Sequence, residues 1–184
     1  GNNSLIDFNN HSFYEGKLKV MKSLPHSLNN SVTIVETNGN RDKNGLNKKE
    51  ADNLVKKVIE ISKREKDLAK EMLSTFGVLS PFSSQCDYLE EQIRNLASDI
   101  VDRHKIKVGT PYSFQGDERD IMFISWSIDN ETNVSALNYL NKSEVFNVTI
   151  SRAKISQYLF TSFSTTTFSD DSLLVKYLHK VKSH

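Results

Sequence analysis

Five short runs of strand-forming residues, separated by stretches with helical spacing, constrain this chain more than any other feature. Ser31-Val32-Thr33-Ile34-Val35-Glu36-Thr37 is β-branched and bounded by Asn and Gly. Phe76-Gly77-Val78-Leu79-Ser80 is a short apolar run stopped by Pro81, and Ile106-Lys107-Val108-Gly109-Thr110 enters a polar turn at Pro111. Asp120 to Trp126 is nearly continuous in apolar residues, and Gln157 to Phe163 supplies the fifth run. Strands apolar enough to be buried on both faces, alternating with helices, predict a mainly parallel sheet between helical layers, an α/β three-layer sandwich.

The helices show in the same way. Asn47, followed three positions later by Glu50, has the form of a capping box, in which each side chain satisfies a free N–H at a helix start. Behind it Ala51, Val55, Val58, Ile59 and Ser62 repeat at helical spacing, with Lys56, Lys57 and Glu60 on the solvent side. Lys63 to Lys70 is a mixed-charge run that reads as a solvated helix end or connector. Tyr88, Leu89, Gln92, Ile93 and Leu96 mark a second helix over Ser84–Leu96. Others are expected at Ala136–Leu140, from Phe146 onward, and at Ser172–Val181. The Asn-, Ser- and His-rich start, with Pro25 ending any short helix, reads as an irregular lead-in. The expected division is a lead-in of 1–30 and a domain of 31–184.

Composition narrows the function. In 184 residues, 24 Lys and Arg nearly cancel 23 Asp and Glu for a net charge of +1, which argues against a protein that coats nucleic acid through a broad basic surface. No run approaches the roughly 18 apolar residues that span a bilayer, and the Asn-rich, apolar-poor start does not look like a secretory signal, so a soluble, cytoplasmic, monomeric domain without membrane partners is expected. Cys86 is the sole cysteine, which forbids an internal disulfide and a Cys-rich zinc site. It reads as an inert, small hydrophobe. His11, His26, His104, His179 and His184 lack ligand spacing, so no metal site is expected. Trp126, at a strand end, reads as core or rim rather than as a base-stacking platform.

The chain contains no G-x-x-x-x-G-K-[ST] loop, and its seven glycines never form G-x-G-x-x-G. It has no nucleotide cradle of its own. Two segments nevertheless stand out. Thr110-Pro111-Tyr112-Ser113-Phe114-Gln115-Gly116-Asp117-Glu118-Arg119-Asp120 is a compact polar loop following the carboxyl end of a strand, the side of an open α/β sheet where ligands bind. It reads either as a site or as a tight solvated turn built on Gly116. In Phe146-Asn147-Val148-Thr149-Ile150-Ser151-Arg152-Ala153-Lys154, an arginine among small residues near a helix start is either a planar charge aimed at a phosphate or an ordinary surface arginine.

Taken together, Gln115-Gly116-x-Glu118-x-Asp120-Ile121-x-x-x-Ser125 and Asn147-Val148-x-x-Ser151-Arg152-Ala153-Lys154 resemble motifs V and VI of superfamily 1 helicases of the Upf1/Dna2 type. Phe13-Tyr14-x-Gly16-x-Leu18, Asn47-x-x-Glu50-Ala51 and Gly77-Val78-Leu79-Ser80-Pro81-Phe82-x-x-Gln85 are similar to further segments of that family's second RecA-like domain. The resemblance covers roughly residues 11 to 163. It implies a RecA-like (P-loop NTPase-like) fold and a share in a composite ATP site, with Mg2+ and most of the nucleotide held by a first RecA-like domain.

Residue by residue, the resemblance makes Arg152 the arginine finger and Glu118 a partner of the ribose, and sets Gln115 and Gly116 beside the phosphates. Thr110, Ser80 and Ser113 would hydrogen-bond the backbone of single-stranded DNA or RNA. Alone, such a domain is expected to be inactive, since it lacks the Walker A and B elements. The other reading, a helicase-like module without motor activity that serves as a protein or nucleic-acid platform, has no need for Gln115, Glu118 and Arg152 together. Pro111-Tyr112 departs from the Val-Asp usual after the motif V threonine, and Thr149 stands where motif VI has alanine.

Overall fold

In the computed structural model, which describes residues 31–183, the strands are β1 (Ser31–Glu36), β2 (Phe76–Leu79), β3 (Lys107–Gly109), β4 (Arg119–Asp129) and β5 (Ala153–Ser162). They form one all-parallel sheet in the order β1-β5-β4-β2-β3. The helices are α1 (Lys48–Arg64), α2 (Ser83–Arg94), α3 (Ser98–Arg103), α4 (Val134–Leu140), α5 (Ser143–Ile150) and α6 (Leu173–Lys182), with a 3-10 turn at Lys70–Met72. The lead-in of 1–30, including Phe13-Tyr14-x-Gly16-x-Leu18, lies outside the described residues.

Alternation along β4 builds both cores. Met122, Ile124, Trp126 and Ile128 point to one face, where Leu140 of α4, Phe146 and Ile150 of α5, and Leu174, Tyr177 and Leu178 of α6 cover them. Ile121 and Phe123 point to the other, against Ala51, Leu54, Val58 and Ile61 of α1 and Leu89 and Ile93 of α2. Each fully buried aliphatic or aromatic side chain contributes about 1.5–3 kcal/mol, so the two stripes fix the three-layer sandwich expected from sequence. No helix among the described residues is long and apolar enough to cross a membrane.

The remaining helix and strand details differ from expectation in instructive places. α3 has no counterpart in the sequence reading. β4 continues past Trp126 through Ser127 to Asp129, and β5 begins at Ala153 rather than Gln157. At Ser127 the backbone takes a positive φ of 64°, and the β4–β5 register shifts between Ser125 and Asp129. This bulge re-aims polar groups at a strand end whose serines would otherwise be unsatisfied. His104 is a core histidine: it stacks on Phe76 at 4.0 Å, and its ring nitrogens bond Ser62 at 2.9 Å and the Ser74 carbonyl at 2.8 Å.

Strand order also sets where ligands can approach. β2 leads through α2 to β3 on one side, and β4 leads through α4 and α5 to β5 on the other. The adjacent pair β2 and β4 therefore flanks a topological switch point, outside whose carboxyl ends a crevice forms.

Candidate functional site

The polar loop 110–118 does not stay at the carboxyl end of the sheet. Gly109 pairs with Leu79, and Leu79 pairs with Ile124, whereas the loop rejoins the sheet at Arg119, which pairs with Ala153. The loop thus descends five strand positions, roughly 16 Å, and separates the expected site residues into two groups. Thr110 and Ser113 stand at the carboxyl end, and Glu118 stands at the amino end beside Arg152, whose carbonyl accepts the Arg119 N–H at 3.1 Å.

Successive turn bonds keep the loop taut. The Thr110 carbonyl accepts from Ser113 N (3.0 Å), Phe114 N (3.2 Å) and Ser113 Oγ (2.9 Å), and the Phe114 carbonyl accepts from Asp117 N at 3.0 Å. Phe114 is fully buried in the core beneath Lys107, whose Nζ donates to the Ser113 carbonyl and to Asp117, each at 2.7 Å. The Lys107 ammonium, aided by Arg119, holds the Asp117 carboxyl below the usual carboxylate range. Gly116 takes φ +75° with open space around it, so backbone conformation rather than room requires glycine there.

At the amino end, the chain satisfies most charged groups internally. Asp117 pairs with Lys107 and Arg119, and Asp120 exchanges bonds with Thr75, receiving Thr75 N at 2.8 Å and donating its own N–H to Thr75 Oγ1 at 2.9 Å. Glu118 and Gln115 are exposed, and among the described residues neither side chain bonds another. Arg152 is half-buried, and its guanidinium rests on the Ser151 hydroxyl at 3.0 and 3.3 Å with no carboxylate partner among the described residues. It sits just past the end of α5, where Ser151 is the C-cap, and not near a helix start as the sequence reading had it. The helix ends there because Ala153 already pairs in β5.

At the carboxyl end, a cleft of about 590 Å³ opens at the switch point, lined by Arg41, Pro81, Phe82, Thr110, Asn133 and Tyr139 among others. The Thr110 side chain is half-buried, and its hydroxyl bonds no protein group among the described residues. Ser113 is exposed but donates its hydroxyl back to Thr110. Ser80 is fully buried, and its Oγ accepts the Phe82 N–H at 3.3 Å, shaping the turn into α2. Cys86 is buried, and burial pushes its thiol up to about 11, in keeping with an unreactive hydrophobe. Trp126 is fully buried core.

Sequence reasoning missed a buried polar centre at the carboxyl ends of β4 and β5. Asn47 caps α1 by accepting Glu50 N at 3.2 Å, but Glu50 does not reach back to complete the box. The Asn47 N–H goes instead to Gln85 Oε1 at 2.8 Å. The Glu50 carboxylate turns inward, fully buried, to accept from Ser125 Oγ (2.7 Å), Ser127 N (2.7 Å) and Ser162 Oγ (2.6 Å). Gln85 Nε2 donates to the Asn47 carbonyl and to Ser125 Oγ, each at 2.9 Å. Burial pushes Glu50 up to about 7 against these donors, which pull the other way. The only hint in the sequence was that Asn47, Glu50, Gln85 and Ser125 all belong to the segments that carried the helicase resemblance.

Residues 1–163 match a family described as an AAA domain. The chain belongs to this family, that of the carboxyl-terminal domain of superfamily 1 helicases. The Upf1/Dna2-type reading of its motifs agrees with a curated relative from Schizosaccharomyces pombe, described as DNA replication ATP-dependent helicase/nuclease dna2. The two are 31% identical over 110 residues, 59% of this chain. The chain spans 7% of that protein's length. As a helicase domain it has the RecA-like α/β fold, and its motif V and motif VI segments meet where Arg119 pairs with Ala153.

Proposed function

We propose that this helicase domain is the second half of an ATP-driven motor, completing a nucleotide site held mainly by a first RecA-like domain and carrying part of a single-strand track. One observation carries the reading. At the amino end of β4 and β5, Arg152 and Glu118 lie side by side with no charged partner among the described residues, while Lys107, Asp117 and Arg119 around them are all paired. A guanidinium held only by the Ser151 hydroxyl keeps donors to spare for a phosphate.

On this reading Arg152 reaches across the interdomain cleft to the γ-phosphate and stabilises the charge that develops as the phosphoryl group transfers. Glu118 accepts from the ribose, and Gln115, with the Gly116 backbone, lies against the phosphates. Mg2+, held mainly by the first RecA-like domain, would supply neutralisation of phosphate charge. At the carboxyl end, Thr110 and Ser113 offer hydroxyls to the backbone of single-stranded DNA or RNA, and Ser80 sets the turn that flanks them.

The test is ATP turnover by the full-length protein. Arg152→Ala should lower kcat by roughly 10³-fold or more, with single-strand affinity in the absence of nucleotide little changed. Unaltered turnover would remove Arg152 from the site and the motor reading with it.

A further inference from the structure

Tyr112 is 84% exposed, more than any other large hydrophobic side chain among the described residues. It does not sit on a floppy segment. The residues on either side are tied by the Ser113 and Phe114 bonds to the Thr110 carbonyl, the Tyr112 carbonyl accepts Gln115 N at 3.4 Å, and Phe114 anchors the turn in the core. The phenol ring is therefore presented to solvent from a fixed backbone, two positions beyond Thr110.

Thr110 lines the switch-point cleft, and the cleft is aromatic and cationic. Phe82 and Tyr139 lie with ring centroids 5.5 Å apart. The Arg41 guanidinium stands 4.2 Å from the Phe82 centroid, and Lys142 Nζ stands 6.0 Å from that of Tyr139. Arg41 is held by the Ser127 carbonyl at 2.9 Å through Nη1. The neighbouring depression, which shares Arg41 and Asn133, sets Asp42, Asp129 and Glu131 against Arg41 and Lys43.

A hydroxyl without a protein partner, flanking cations and the open ring of Tyr112 together match what an unpaired strand offers: a phosphodiester backbone with a π-face on every base. We propose that Tyr112 and the cleft behind Thr110 form a base-stacking subsite for single-stranded nucleic acid. The backbone passes Thr110, one base lies on the Tyr112 ring, and its neighbour enters the cleft against Phe82 and Tyr139. The inference deepens the strand-track reading and rests on it. It also gives a use to Pro111-Tyr112, the place where the loop departs from its family's pattern.

The experiment compares, by fluorescence anisotropy with the full-length protein, a thymidine homopolymer and an abasic strand of equal length and charge. The wild type should prefer the base-bearing strand. Tyr112→Ala should cut that preference by about five-fold or more, and Tyr112→Phe should keep it. Thr110→Ala should weaken both strands alike. An unchanged preference in Tyr112→Ala, or equal binding of both strands by the wild type, would overturn the stacking subsite and leave the track standing. Failure to bind either strand would bring down the track itself and the subsite with it.

Discussion

Glu50 is a carboxyl group whose position in the core outweighs its position in the sequence. Taking it out of water raises its pKa from 4.5 to about 7, so the folded state holds its proton more tightly than the unfolded chain does. Stability linked to this residue is fully present below pH 4.5, declines as pH rises toward about 7, and changes little above that. At about 1.4 kcal/mol per unit the whole decline is on the order of 3 kcal/mol. Urea midpoints measured across that window should fall with rising pH. In Glu50→Gln, which keeps the shape and drops the titration, the curve should be flatter over the same range. A wild-type curve that rises or stays level would show that Ser125, Ser127 and Ser162 compensate the ionised carboxylate more fully than burial penalises it.

Among the secondary-structure elements, Gln85 does the joining. From the first turn of α2 it serves both the N–H and the carbonyl of Asn47 at the start of α1, and Ser125 on β4. Gln85→Leu should destabilise the chain by about 2 kcal/mol or more, because it strands a buried Asn47 N–H. Chemical denaturation checks this, and Tyr88→Phe, which removes the 2.7 Å bond to Asp52 one turn further along α2, offers a milder comparison. These two elements also show how much could be read from residues alone. The strands were legible because β-branched and aromatic runs declare burial locally, as in Ser31–Glu36 and Asp120–Trp126. The amphipathic stripe of α1 was legible for the same reason. The inward turn of Glu50 was not, since its partners Ser125 and Ser162 lie 75 and 112 positions away. Nor was the reach of β4 to Asp129, whose polar residues enter the sheet only because a bulge at Ser127 finds partners for them. Motif spacing named Arg152 and Glu118, but only the strand register made them neighbours, and exposure, which no spacing reports, singled out Tyr112.

For the molecule as a whole, the loop between β3 and β4 joins the end of the sheet that would face the nucleic-acid strand to the end that would face the nucleotide. On the proposed function, inserting two glycines between Phe114 and Gln115 should lower basal ATP turnover of the full-length protein, since it shifts Gln115, and leave strand affinity little changed. It should abolish the stimulation of one by the other. Retained stimulation would mean that the signal travels by another route. The nine residues 110–118 are wound into turns, pinned by Phe114 at their middle and by Lys107 at their flank. In mechanical terms the segment is a strut of fixed length: a displacement at Thr110 finds no slack in which to be lost before it reaches Glu118.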